Sequence, residues 1–456
     1  MHLASPWKPR LSATDGGPAE RLVTALAEDI ADGALARGDR LPPHRELAYQ
    51  LGIGLGTVTK AYAALERRGL VQSVRGRGMF VAGLTPRPAT VIDLSVNTPP
   101  QMLDDRLMAA TLTVMAKRLD AGTFGAFTPA AGRPDHRALA AKWLAGQRME
   151  VSPEGVLLCN GAQHALAIAF ATACPLGGTI LTEATTYPGA ISLARQSGCR
   201  LVGLNLDGEG LRPDALERAL ASTAVAALYV TPTLHNPTGA TMSVARRRDI
   251  ARLCRQHDVT IIEDDVYSIF AAPNLPPLAS LAPERALYVS GLSKSVSPGL
   301  RVGMLAVPQR FLEPALSRLQ ATCTMASPLA AMIMEQWLTD GTAQSVAASI
   351  RLETAKRHAL MQSLLTPDMP ARAVNGFHAW LPMPTEAAER LASSAAALGV
   401  IVTPPRLPLV DPSATDGGIR LCLGSPPIDK LKEALSLLAS LFNAGAPKRQ
   451  ADLPLF

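Results

Sequence analysis

Near the start of the chain Leu22, Leu26 and Ile30 recur every four positions, with Glu20, Arg21, Glu28 and Asp29 between them. That spacing places the apolar side chains on one stripe and predicts a helix buried along one side, with Gly33 as its stop. LPPHRELAYQLGIG follows, its prolines just before a second short helix and Gly52 at the turn after Leu51. TVTKAYAALERRGL then predicts a third helix ending at Gly69. Two short helices about a tight glycine turn form a helix-turn-helix pattern. LVQSVRGRGMFVAG reads as two strands around a basic hairpin, Arg75-Gly76-Arg77-Gly78, in the position of a wing.

The periodicity lapses in GLTPRPA, which contains prolines and is read as a linker over residues 83–90, closing a first domain at residues 1–82. From Val91 the pattern changes. VLLCN, TILTE, LVGLNL, AALYVT, TIIEDD and ALYVSG are short runs rich in β-branched and apolar residues, separated by helical stretches such as AQHALAIAFATAC and SVARRRDIARLCRQH. This alternation predicts an α/β domain with a largely parallel sheet over residues 91–456. After about residue 326 long helical stretches precede short strands around HAWLPM and IRLCLG, which predicts a smaller C-terminal α+β subdomain over about 326–456.

Composition narrows the function classes. A chain of 456 residues with 48% hydrophobic content has enough apolar surface for two or three cores. The net charge of +6 permits an anionic partner without demanding one, so the position of the charge has to decide. Cys159, Cys174, Cys199, Cys254, Cys323 and Cys422 are scattered without a CxxC pair, against a disulfide framework or a zinc site, and no metal is expected. The N-terminus lacks an apolar targeting core, and no apolar run approaches the roughly 20 residues of a membrane span. A cytoplasmic protein without membrane attachment is the expectation.

In the first domain Thr57, Thr59 and Lys60 stand near the N-terminal end of the third helix, where recognition helices reach base edges and phosphates. Arg45, Arg75 and Arg77 add charge for phosphates or a minor groove. The alternative is that each is a solvated surface residue. The segment from Glu20 to Val81 resembles the GntR-type winged helix, whose LPP, RELA, LG, TV, AY, L and GL pattern is matched in LPPHRELAYQLGIGLGTVTKAYAALERRGLV. It departs from that family where serine and arginine usually open the recognition helix, since Gly54 and Leu55 stand there.

In the second domain SGLSKSVSPGLRVG places Lys294 after a strand and Arg301 seven residues later. A lysine that forms an imine needs a fixed position near a phosphate anchor, which Arg301 can supply bidentately while Ser293 offers a hydroxyl. EDDVY puts Asp264 at a strand end, where a carboxylate can pair with a protonated pyridine nitrogen, and Tyr267 where it can donate to a phenolate oxygen. TPTLHNPTG puts Asn236 in a turn at another strand end, where open α/β sheets bind ligands. NGAQHAL lies between a strand and a helix, so the amides of Gly161 and Ala162 and the side chain of Gln163 can hold a phosphate. Any one of these is as readily structural; together and in this order they point to a cofactor site.

These motifs resemble the fold-type I, aspartate-aminotransferase-like domain, and the whole chain resembles a MocR-type member of the GntR regulators. The resemblance implies pyridoxal 5'-phosphate as cofactor, with Lys294 as its covalent lysine and Asp264 on the pyridine nitrogen. Asn236 and Tyr267 are implied on the ring oxygen, Tyr187 of TTYPG stacked on the ring, and Gly161, Ala162, Gln163, Ser293 and Arg301 around the phosphate. Arg420 of IRLCLG is implied as the clamp for the carboxylate of an amino-acid ligand. Family members commonly carry serine or threonine three residues before the lysine; here that residue is Gly291, with Ser290 displaced by one.

The function expected is a regulator that senses pyridoxal phosphate, an amino-acid or amine effector, or both, and changes its hold on a double-stranded DNA operator. The rival is an active aminotransferase with a vestigial DNA-binding appendage, for which EDDVYS speaks because it resembles authentic aminotransferases more than the EDDYDSEF of many MocR regulators. A DNA-binding protein with a dead dimerisation domain is the third reading. A homodimer is expected, head-to-tail by the resemblance, because two half-sites reward a paired reader.

Overall fold

A computed structural model of the chain describes residues 7, 9–13, 16–36, 39–67, 70–74, 78–81, 91–119, 121–365, 369 and 375–445. The chain divides into two compact units, Met1–Val91 and Ile92–Phe456. The linker expected over 83–90 lies outside the described residues.

In the first unit helix α1 (Pro18–Ala31) begins on a proline, whose missing N–H costs nothing there, and Glu20 Oε2 accepts from the Gly17 amide at 3.1 Å. Helix α2 (His44–Leu51) ends at Gly52, which takes the left-handed conformation at φ 63° and turns the chain into α3 (Leu55–Arg67). Strands β1 (Val71–Val74) and β2 (Gly78–Val81) pair antiparallel, Val71 opposite Val81. The stripe predicted on α1 is buried: Leu22 and Leu26 pack with Val58, Ala61, Tyr62 and Leu65 of α3 and with Val71 and Val81. The buried Tyr62 hydroxyl donates to the Pro42 carbonyl at 2.8 Å, tying α3 to the chain ahead of α2.

The second unit is built on seven strands: β3 (Val156–Cys159), β4 (Thr179–Glu183), β5 (Arg200–Leu204), β6 (Ala227–Val230), β7 (Thr260–Asp264), β8 (Ala286–Gly291) and β9 (Gly303–Ala306). Their order across the sheet is β3-β9-β8-β7-β6-β4-β5. Neighbours run parallel except that β9 is antiparallel to both β8 and β3. Because successive strand residues point to opposite faces, Leu158, Leu228, Ile261, Tyr288 and Met304 enter one hydrophobic core, while Leu157, Tyr229, Ile262, Leu287 and Leu305 enter the other. Helices cover both faces, so the strands read as continuous apolar runs.

A third core gathers Ile92, Leu94, Met361, Leu381, Val400, Val402, Ile419 and Leu435. Its strands β10 (His378–Pro384) and β11 (Asp416–Cys422) pair antiparallel, and Ile92–Leu94 pairs parallel with Val400–Val402. The first residues of this unit thus join the C-terminal core rather than the large sheet. Among the described residues no helix is long and apolar enough to cross a membrane.

Candidate functional site

Parallel strands of one sheet end at a common edge, and the loops leaving β3, β4, β6, β7 and β8 carry the predicted residues to it. β9 runs the other way, so its incoming end, preceded by Arg301, reaches the same edge. These loops enclose a cavity of about 450 Å³ lined by Ala162, Gln163, Tyr187, Asn236, Asp264, Tyr267, Ser293, Lys294, Arg301 and Arg420, among others. Ten of the eleven residues expected around a cofactor and its ligand therefore share one cavity. Gly161, the eleventh, stands directly behind: at φ +88° a Cβ there would meet the Arg301 guanidinium at 2.3 Å. It precedes helix α4 (Ala162–Ala173), whose free N-terminal amides open onto the cavity edge.

Each polar side chain is held. Tyr187 Oη donates to Gln163 Oε1 at 2.9 Å, and Gly189 leaves the room for this, since a Cβ there would meet the tyrosine ring at 2.4 Å. Arg301 Nη1 donates to Ser293 Oγ at 3.3 Å. Arg420, 7% exposed, donates to Asn236 Oδ1 at 2.7 Å, to the Ser95 carbonyl at 2.8 Å and to Thr403 Oγ1 at 3.2 Å. Its guanidinium is thus buried on neutral acceptors. Asp264 Oδ2 accepts from Tyr229 Oη at 3.1 Å, whereas Oδ1 is buried without a hydrogen bond of good geometry.

Among the described residues lining the cavity, Asp264 is the sole carboxylate, facing Lys294, Arg301 and Arg420. Desolvation raises Asp264 to about 6 and lowers Lys294 to about 8, so the lysine is within reach of its neutral form near neutrality. Burial also raises Tyr187 and Tyr267, which stay protonated. Behind Asp264, buried Glu183 is raised to about 7 by desolvation, and its Oε2 lies 3.8 Å from Nε2 of His235, which desolvation lowers to about 3.

Asn97 was not anticipated. It is 8% exposed, its Nδ2 donates to Tyr267 Oη at 2.8 Å, and its carbonyl accepts from Lys294 Nζ. Ser95 and Thr231 also line the cavity. The SVNT run that carries Asn97 follows a strand of three residues far from any motif, and its polar character is its one signal.

In the first unit Arg45, Thr59 and Lys60 are exposed and Thr57 partly so. Thr59 Oγ1 donates back to the Leu55 carbonyl at 3.0 Å. Arg75 and Arg77 lie outside the described residues.

Comparison with known proteins gives the same division. Residues 18–81 match the gntR family of bacterial regulatory proteins, and residues 89–438 match aminotransferase class I and II. The chain is 28% identical over 448 residues to the HTH-type transcriptional regulator YdeF of Bacillus subtilis, covering 96% of this chain and 97% of that one. It is 29% identical to the vitamin B6 salvage pathway transcriptional repressor PtsJ of Salmonella typhimurium, covering 81% of this chain and 86% of the relative. Among solved structures it resembles an archaeal alanine:glyoxylate aminotransferase, with a TM-score of 0.73, 23% identity, and coverage of 86% of this chain and 95% of the other.

Proposed function

The chain belongs to the aminotransferase class I and II family over residues 89–438 and, through the gntR-type segment fused ahead of it, to the MocR-type regulators; on that premise we propose a pyridoxal-phosphate-dependent transcription regulator. Its first unit holds a double-stranded DNA operator, and the cavity of its second unit senses the cofactor, an amino compound or both.

One observation carries this reading: a half-buried lysine, a buried carboxylate with a spare oxygen, and two arginines without carboxylate partners line a single cavity. That set fits pyridoxal phosphate. Oδ1 of Asp264 needs a donor, which a protonated ring nitrogen provides. Arg301, Ser293, Gln163 and the amide of Ala162 offer donors for a phosphate dianion, while the Gly161 amide is already spent on the Cys159 carbonyl at 2.9 Å and Gly161 serves by lacking a Cβ, which keeps that cradle open.

When bound, pyridoxal phosphate supplies an electrophilic aldehyde and an electron-withdrawing pyridine ring. Lys294 would hold it covalently, Tyr187 would cover a ring face, and Asn236 and Tyr267 would bind the ring oxygen. Their existing bonds leave the right groups free: Asn236 spends Oδ1 on Arg420 and keeps Nδ2 to donate, and Tyr267 accepts from Asn97 and keeps its proton to donate. Arg420, buried on neutral acceptors, would take the carboxylate of an amino-acid ligand in a bidentate grip.

Amino-group transfer would use the same side chains. What favours regulation is the gntR-type segment and a relative covered over 97% of its length that carries a regulator's name. A homodimer, arranged head-to-tail, would present two DNA-reading units, and the exposed apolar residues Leu112, Leu119, Phe124 and Phe127 offer a surface for it. The test is fluorescence anisotropy on DNA from upstream of the gene while pyridoxal phosphate and candidate amino acids are titrated. Ligand-dependent affinity is the expected result, and brisk amine turnover without any DNA binding would replace this reading with the enzymatic one.

A further inference from the structure

The exposed face of α3 is poor in the groups that read bases by hydrogen bonds. Between Gly54 and Ala64 the sequence holds no Arg, Asn, Gln, Asp or Glu, and Lys60, in the second turn, is the one side chain there of the kinds that make bidentate contacts to guanine or adenine or accept from cytosine. Val58, Ala61 and Tyr62 point into the core. Thr59, one turn after Leu55, spends its hydroxyl proton on the Leu55 carbonyl. The one large apolar side chain outward at the start of the helix is Leu55, 46% exposed and no part of the core of its unit, beside the partly exposed Thr57. Its flanks are bare: a Cβ at Gly56 would meet nothing within 4 Å, and one at Gly54 only Thr57 Oγ1 at 3.7 Å.

A single exposed leucine is ordinary on a protein surface. This one occupies the first residue of the helix that, on the DNA-binding reading proposed above, enters the major groove. Exposed Arg45 and Lys60 in the same unit supply charge for the flanking phosphates. In that groove the one apolar group a base pair presents is the C5-methyl of thymine. We propose that Leu55 is a specificity-determining residue that selects thymine by contact with its methyl group, in place of hydrogen-bonded readout of a purine. The two glycines beside it let the helix end approach closely enough for a short branched side chain to reach.

The inference rests on the DNA-binding reading, and the experiment separates the two. Full-length protein is used to select duplexes from a random-sequence library, and affinity is then measured with deoxyuridine replacing each thymine of the selected site in turn. Uracil lacks only the methyl, so the hydrogen-bonding edges of the base pair in both grooves are unchanged. At one or two thymines per half-site the exchange weakens wild-type binding about four-fold each, the worth of one buried methyl. Leu55→Ala, which removes no core contact, binds both duplexes equally with an unaltered salt slope, and Leu55→Arg selects guanine at that position. Equal binding of thymine and uracil at every position overturns the proposal, as does an undiminished methyl effect in Leu55→Ala. If no duplex is enriched at any salt concentration, the DNA-binding reading fails and takes the proposal with it.

Discussion

Asn236 Oδ1 accepts a hydrogen bond from Arg420 Nη1 at 2.7 Å, joining two residues 184 positions apart. One belongs to the turn expected to hold the cofactor ring, the other to the strand expected to hold an effector's carboxylate. If those assignments hold, the two ligands would share one amide, and ordering of one would prepare the site for the other.

Arg420→Ala should weaken an amino-acid ligand by about 10- to 100-fold, the worth of hydrogen bonds to a charged group. Loss of cofactor affinity should be smaller, confined to the orientation of Asn236. Separate titrations of pyridoxal phosphate and of an amino acid check this; equal losses would mean that Arg420 is not the carboxylate group.

Protein incubated with pyridoxal phosphate should show a visible absorbance band that Lys294→Ala lacks. Because burial lowers this lysine to about 8, about one amine in ten is neutral at pH 7. The rate of capture should rise roughly ten-fold from pH 6 to 7 and level off above pH 8. A rate still climbing steeply at pH 10 would assign the chemistry to an ordinary surface lysine.

Glu183 is raised to about 7 by burial, against an unfolded value near 4.5. Between those values the folded state holds a proton the unfolded chain has lost, so stability falls as pH rises through that window. Glu183→Gln removes the penalty. Its melting temperature should gain on the wild type from pH 5 to 7 and keep a constant lead above pH 8; a lead largest at pH 5 would reverse the assignment.

Arg45→Ala and Lys60→Ala should each reduce the slope of log affinity against log salt by about 0.9 if each meets a phosphate. Neither should disturb the absorbance band. A change in that band would show that these residues act on the cofactor site as well as on DNA.

Sedimentation at micromolar concentration should give a species of twice the 48.0 kDa chain. A stable monomer under those conditions would leave DNA reading by single half-sites.

The large sheet was legible because a strand buried on both faces has no polar alternation to confuse with a helix, and five such runs stand out between Ala-rich helices, with the partly exposed edge strand Arg200–Leu204 betrayed by its own apolar run LVGLNL. The seventh strand, Gly303–Ala306, was not read: its four residues follow the lysine segment directly, and no pattern distinguishes a short antiparallel insertion from a loop. The site residues were visible where they sit in turns with glycine or proline. Asn97 acts partly through its backbone carbonyl, which no side-chain motif can announce. The displaced serine has a steric origin, for a Cβ at Gly291 would meet the Val302 carbonyl at 2.8 Å, so serine cannot stand there without the β8–β9 pair moving apart.

Tyr229, whose hydroxyl holds Asp264, also packs its ring against Phe170, with centroids 5.4 Å apart. The aromatic interior beneath the sheet is thus mechanically linked to the carboxylate that faces the ring nitrogen. A bound chromophore would serve as an optical gauge of packing at Phe170, and a conservative interior exchange such as Phe170→Leu would register as a colour shift without touching the cavity wall. Drift at such interior positions would then reach the carboxylate that faces the cavity while every residue lining the cavity stays the same.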